Sequence, residues 1–210
     1  AKHKMIGNIP NVARVLYSHT DYSDCWPVYF GQVEKYMNCF KNNYILINKR
    51  DSRIPSYFSQ ILYDEKKAYV DRLLFGLNQI QDPIVFFEHE DMIVKSMPNT
   101  SLIENYSKII KTKTIHNFFP IRFDVIRLVQ GGKFFSVPLV GKKFKKLRII
   151  SRFSIWIFSL QPSLWSLSRI QEILLNHTGE SIWEFERKAQ WSFRKPTRRS
   201  GTLREGLLKS

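Results

Sequence analysis

An α/β fold with a mostly parallel central sheet and helices on both faces is predicted by three features of the chain. Short apolar runs rich in β-branched residues alternate with segments of helical periodicity, the runs are compact enough for strands buried on both sides, and polar loops follow them. At 210 residues the chain has the length of one domain, or of one domain with an appendage. A composition that is 43% hydrophobic, 14% aromatic and 24% charged belongs to a globular protein and excludes disordered and collagen-like classes.

The first run, Val12 to Tyr17, reads as a buried strand ending in the polar loop Ser18-His19-Thr20-Asp21. Ser23 or Asp24 then caps a helix whose apolar face is Trp26, Phe30, Val33 and Met37. Tyr44 to Asn48 is a second strand, and Glu65 to Gln81 places Val70, Leu73, Leu74, Leu77 and Ile80 on one helical face. Ile84 to Phe87 is a third strand, running directly into Glu88-His89-Glu90-Asp91. Asn99 caps a helix carrying Leu102, Ile103, Tyr106, Ile109 and Ile110, and Phe123 to Val129 reads as another strand. Between residues 130 and 152, Gly131, Gly132, Pro138 and Gly141 separate short apolar pieces, which predicts a small hairpin or mobile loop. A strand over Trp156 to Ser159 and helices from Ser166 to Leu175 and from Trp183 to Gln190 complete the order. A single domain over 1–195 with a basic, weakly ordered tail over 196–210 is the expected organisation.

The formal net charge of +15 is concentrated. Seven bases and no acid lie between Lys133 and Arg152, and eight bases with one acid lie between Arg187 and Ser210, so these stretches hold fourteen of the fifteen charges. Lys142 to Lys146 would close over a diphosphate, face an anionic membrane surface, or stand in solvent. Cys25 and Cys39 have neither disulfide-framework nor zinc spacing, which fits a reducing compartment. With no secretory or membrane-spanning pattern in the sequence, a soluble protein is expected, cytoplasmic or peripheral to a membrane.

The chemistry concentrates after the third strand. Glu88, Glu90 and Asp91 are three carboxylates within four residues, and their mutual repulsion calls for a compensating charge. A divalent cation supplies it: Mn²⁺ or Mg²⁺ takes one or two protein carboxylates and completes its shell with water and phosphate oxygens. The plain alternative is a solvated acidic loop. Position favours the metal, because open α/β sheets bind ligands at the carboxyl ends of their strands. His89 is an extra ligand or a hydrogen-bonded side chain.

Several stretches together resemble the glycosyltransferases of the GT-A fold, a Rossmann-like architecture. VLYSHTDYSDCWPVYFGQVEKY resembles the first strand and nucleotide-facing loop of that family, AYVDRLLFGL the following helix, and IVFFEHEDMIV the metal motif. FSLQPSLWSL and GESIWEFE resemble the segments lining the sugar and acceptor side. The metal motif here reads Glu-His-Glu-Asp where the family has Asp-x-Asp. The resemblance implies a metal-dependent enzyme that moves a sugar from a nucleotide-diphosphate sugar to a glycan or lipid-linked hydroxyl acceptor. It assigns Glu90 and Asp91 to the metal. To the nucleotide sugar it assigns Ser18, Thr20, Asp24, Asp71, Arg72, Glu88, Gln161, Trp165 and Trp183.

Glycosyl transfer passes through an oxocarbenium-like state, so the departing diphosphate must be stabilised and, with inversion, the acceptor hydroxyl deprotonated. The resemblance makes Glu184 or Glu186 the base, with Glu180 behind them. Residues two apart do not share a helical face, so only one of Glu184 and Glu186 points inward. Each role has a plainer counterpart: Asp71 and Arg72 as an exposed helix pair, Trp165 and Trp183 as core aromatics, the glutamates in water. Two other functions compete. A nucleic-acid-binding module would use the basic clusters, although no nucleic-acid motif is present and none is expected as a partner. A metal-dependent nucleotidyltransferase or phosphohydrolase would use the same acids.

Overall fold

The computed structural model describes residues 9–111, 114–116, 119–121, 123–129, 136–138, 147–151, 153–154, 157–194 and 200–203. Strands β1 (Val12–Tyr17), β2 (Asn42–Ile47), β3 (Ser59–Leu62) and β4 (Ile84–His89) pair in parallel in the order β3-β2-β1-β4. The sheet continues through β10 (Ser163–Ser166), antiparallel to both β4 and β7 (Val125–Arg127). Beyond β7 come β11 (Ser200–Leu203), β9 (Leu147–Ile150) and β8 (Ser136–Pro138), for nine strands among the described residues. The sheet is therefore mixed, with a parallel block at its β3 side. The short pair β5 (Thr114–His116) and β6 (Phe119–Ile121) stands apart from it.

Helices cover both faces, as the alternation predicts. Strand side chains alternate between them: Val12, Leu16, Ile45 and Phe86 pack with α1 (Trp26–Tyr36) and α3 (Thr100–Lys111). Ala13, Val15, Leu46, Val85 and Phe87 pack with α2 (Tyr69–Leu77), α4 (Leu167–Leu175) and α5 (Ile182–Arg194). Gly76 lets α2 lie close on β2, since a Cβ there would meet Leu46 Cδ2 at 2.1 Å.

Several boundaries differ from the sequence reading for identifiable reasons. Neither Ser23 nor Asp24 caps α1. A 3₁₀ turn over Thr20–Tyr22 intervenes, Cys25 holds the cap position, and Pro27 sits in the first turn, where its missing N–H is no loss. Asn99 does cap α3, accepting from Leu102 N at 3.1 Å. The helix read from Glu65 starts only at Tyr69, after an extended Ala68. Residues 157–159 are not a strand; Gln190 of α5 clamps Phe158, accepting from its N at 2.9 Å and donating to its carbonyl at 2.6 Å. Trp156 lies outside the described residues, as does the lysine-rich connection 139–146 between β8 and β9, which pair as a hairpin. Ser200–Leu203, within the stretch read as a tail, forms β11 between β7 and β9.

The centre of the parallel block holds a buried ion pair. Arg14 on β1 donates from Nε to Glu88 Oε1 of β4 at 2.5 Å, and neither side chain is exposed. Tyr29 of α1 donates to the same oxygen at 2.5 Å. The rings of Tyr29, Phe40, Phe58 and Phe86 surround the guanidinium, their centroids 5.8 to 5.9 Å from Cζ, and their negative faces offset part of its lost hydration. Removing one member would leave the other charge buried alone, a loss of about 3–5 kcal/mol. Arg14→Met is therefore expected to destabilise the chain by that order in urea unfolding. Arg14→Met/Tyr29→Phe/Glu88→Leu, which removes both charges and the orphaned hydroxyl, should recover most of it. A single variant within about 1 kcal/mol of the parent would contradict the role of the pair.

Candidate functional site

The parallel strands place a crevice where their connectivity reverses. From β1 the chain moves outward to β2 and β3, then returns to β4 on the other side of β1. Such a switch point leaves room at the carboxyl ends of the two central strands, where open α/β sheets take ligands. Here those ends are Tyr17-Ser18-His19 and His89-Glu90-Asp91.

Strand alternation separates the acids. β4 extends to His89, so Glu88 is a strand residue directed into the α1 and α3 layer, where Arg14 neutralises it. The assignment of Glu88 to the nucleotide sugar is thus corrected on burial and pairing: Arg14 and Tyr29 hold its Oε1 and the side chain has no exposure, although its Oε2 also has no hydrogen-bond partner among the described residues. Glu90, two residues on and past the strand, is 7% exposed, and its Oε2 has no hydrogen-bond partner among the described residues. Burial and the neighbouring Asp91 push its carboxyl up to about 7, while a backbone hydrogen bond, the Ser18 hydroxyl and His19 act the other way. Asp91 is exposed. Among the described residues no three His, Cys, Asp or Glu side chains converge as a metal cage. Glu90 and Asp91 fit a hard cation only as a two-carboxylate edge whose remaining ligands are phosphate oxygens and water.

The first loop is built around Ser18, which is buried. Its hydroxyl accepts from Trp26 Nε1 at 3.0 Å and its carbonyl from Tyr63 Oη at 2.8 Å. Thr20 and Asn48 bond reciprocally, Thr20 N to Asn48 Oδ1 at 2.9 Å and Asn48 Nδ2 to Thr20 Oγ1 at 3.0 Å. Glu65 accepts from Asn48 and from His19 Nε2, whose Nδ1 accepts from Asp21 N. Asp24 is exposed and accepts from Cys25 N.

On the α2 face, Tyr17 stacks on Tyr63 with centroids 5.3 Å apart, and Tyr69 lies 4.8 Å from Tyr17. Arg72 Cζ stands 5.2 Å from the Tyr63 ring centroid, and its buried Nε has no partner. His89 meets Tyr69 Oη at 3.2 Å, and burial lowers its pKa to about 4. Asp71 does not face the crevice: its Oδ2 accepts from Gly179 N at 3.1 Å, tying α2 to the turn before α5 at a residue with φ +82°.

Across from them, α5 turns one of the two late glutamates inward. Glu186 points inward and accepts from Leu160 N at 2.9 Å. Glu184 caps the helix instead, accepting from Ser181 N at 3.0 Å while Ser181 Oγ faces Glu184 N at 3.3 Å. Ser181-x-x-Glu184 is a capping box, a signal legible in the sequence. Glu180 binds His177 and Lys188. Two tryptophan assignments are corrected as well. Trp165 is fully buried on β10, stacked on Phe87 with centroids 4.2 Å apart, so no sugar ring reaches it. Trp183 is 76% exposed on the outer side of α5. Gln161 precedes β10 and carries an unpartnered buried Oε1.

Sequence reasoning missed Arg127, at the carboxyl end of β7. It is buried, and burial lowers its pKa to about 10 against the opposing charge of Glu186. The signal was a lone arginine inside the apolar run FDVIRLV, as with Arg14 inside VARVLY. Ser18, Glu90 and Asp91 lie at the carboxyl ends of β1 and β4; Tyr69 sits among Glu90, Arg72, His89 and Glu186, with Arg127 near Glu186.

No protein-family model matches the chain, and no curated protein matches it in sequence. Solved structures do. The bifunctional IspDF from Campylobacter jejuni matches with a TM-score of 0.42 and 10% identity, over 78% of this chain and 42% of that one. This chain therefore spans less than half of that protein. UDP-glucose pyrophosphorylase complexed with UDP-glucose matches with a TM-score of 0.48 and 10% identity, over 93% of this chain and 91% of that one. At these scores neither bears on what this chain does.

Glu90 and His89 make opposing pH dependences. Between pH 4.5 and about 7 the folded chain keeps a proton on Glu90 that the unfolded chain has lost, so stability falls as pH rises through this window. His89 does the reverse: between about 4 and 6.5 the unfolded chain binds the extra proton, and stability rises with pH. In chelator, Glu90→Gln should remove the first slope and expose the second, gaining on the order of 2–3 kcal/mol relative to the parent between pH 4.5 and 7. Parallel stability curves for parent and variant in chemical denaturation would show that Glu90 titrates normally.

Proposed function

We propose that the chain is a glycosyltransferase that binds a nucleotide-diphosphate sugar at the carboxyl ends of β1 and β4 and transfers its sugar to a hydroxyl acceptor. The observation that carries this reading is Glu90: a buried carboxylate with an unpartnered oxygen, beside Asp91, at the switch point of the sheet. A buried acid pushed toward neutrality is poised for a cation. Mn²⁺ or Mg²⁺ held by Glu90 and Asp91 would neutralise the charge that develops on the departing diphosphate.

The chain's own residues supply the rest. Thr20 would line the nucleotide side, with Ser18 buried beneath it holding the loop, and the Arg72 guanidinium, with a donor to spare among the described residues, would face the diphosphate. Gln161 offers its amide to sugar hydroxyls. The bond from the anomeric carbon to the diphosphate oxygen breaks, a bond to the acceptor oxygen forms, and Glu186 takes the hydroxyl proton while Leu160 N holds its other oxygen. Arg127 keeps a positive charge near Glu186. The loop Ser18 to Cys25 argues against nucleotidyl transfer from a triphosphate. It carries Asp21 and Asp24 and has no glycine, lysine or arginine, whereas a triphosphate cradle needs close backbone amides and cations.

A calorimetric panel of UDP-, GDP- and dTDP-sugars with and without Mn²⁺ tests the reading. One donor should bind in a metal-dependent way, and Glu90→Gln should weaken it about tenfold or more. Glu186→Gln should leave donor affinity unchanged and lower turnover by roughly 10²-fold or more. Metal-dependent binding that survives both Glu90→Gln and Asp91→Asn would overturn the site.

A further inference from the structure

Outside the crevice, the outer face of α5 is the most unusual surface among the described residues. Trp183 and Trp191 are 76% and 67% exposed, although tryptophan is highly buried on average. They lie eight residues apart, about 12 Å along the helix, with Arg187 midway, so the three form one stripe. Lys188 and Arg194 flank it. Of the nearby acids, Glu180 pairs with Lys188 and His177 and Glu186 turns inward to Leu160, while Glu184 bonds Ser181 and stays exposed beside Arg187 and Lys188, so bases outnumber the one exposed acid on this face. On the opposite side of the helix Phe185, Ala189 and Phe193 are fully buried, so α5 is anchored and presents this stripe outward. The sequence continues with Lys195, Arg198 and Arg199 in a chain of net charge +15.

We propose that this face of α5 docks the protein on an anionic lipid surface. Tryptophan is favoured at the membrane interface, where its ring meets the apolar boundary and its N–H the headgroups. Arginine between and beside the rings adds attraction to anionic lipid. Amphipathic helices with one aromatic and basic face lie along membrane surfaces in this manner. Single-stranded nucleic acid fits the stripe less well. It needs open ring faces along a groove, whereas this face is an outward-facing helix and Arg194 Cζ already stands 4.4 Å from the Trp191 ring centroid.

The test uses the full chain with vesicles of phosphatidylcholine, with and without phosphatidylglycerol, at physiological salt. Cosedimentation should show binding that requires phosphatidylglycerol. Trp183→Ala/Trp191→Ala, which touches no core position, should weaken it about tenfold or more with an unchanged melting temperature. Arg187→Ala should weaken it about fivefold. Equal binding of the double variant, equal binding to neutral vesicles, or no vesicle binding at all would overturn the proposal. So would tight binding to single-stranded RNA that the same double variant abolishes, which would assign the stripe to nucleic acid. None of these readouts requires nucleotide-sugar binding, so the result stands apart from the fate of the crevice.

Discussion

An arginine and a glutamate buried together between β1 and β4 organise the parallel half of this protein. In the register of the two strands Arg14 lies beside Phe86 and Glu88 beside Leu16, and a slip of one residue between them would put the two charges in opposite layers and separate the pair. Two ions out of water are tolerated because each compensates the other. Tyr29 adds a hydrogen bond and four rings close around the guanidinium. The same arrangement binds α1 to the strands through Tyr29, so one polar contact joins the sheet to its covering helix.

That pairing also decides what remains for chemistry. A carboxylate two residues beyond Glu88 has left the strand, and its Oε2 has no hydrogen-bond partner among the described residues; this is Glu90. The fold therefore divides one acidic cluster into a structural member and a pair at the mouth of the switch-point crevice. The opposite wall divides similarly. Along α5, Glu184 caps the helix and Glu186 turns in to hold Leu160, so adjacent acids of one motif have unrelated tasks. On both walls backbone geometry, through the period of a strand or a helix, makes the selection.

Much of the architecture was legible because it follows from periodicity: the runs at Val12, Tyr44 and Ile84 are strands, and the helices after them lie where their apolar faces place them. β3 and β10 were not legible as strands. Ser59–Leu62 alternates too briefly, and Ser163–Ser166 reads continuously with the helix that follows it. The repulsion among Glu88, Glu90 and Asp91 is legible in the sequence, but for Glu88 what relieves it is neither a cation nor solvent. A partner for Glu88 was present seventy-four residues earlier, and its signal was a charged residue in the middle of an apolar strand. Arg127 carried the same signal. Trp165 shows the limit from the other side, because nothing in a local segment distinguishes a tryptophan stacked on Phe87 from one lining a pocket.

Glu88 serves the fold, and in the proposed function Glu90 serves a ligand. This division is tested most directly by measuring metal-dependent nucleotide-sugar affinity in the Arg14→Met/Tyr29→Phe/Glu88→Leu background, with and without Glu90→Gln. Affinity is expected to stay within about threefold of the parent when the buried pair is replaced by apolar residues and to collapse when Glu90 is then changed. Loss of metal-dependent binding in the folded triple variant, with Glu90 still in place, would contradict it.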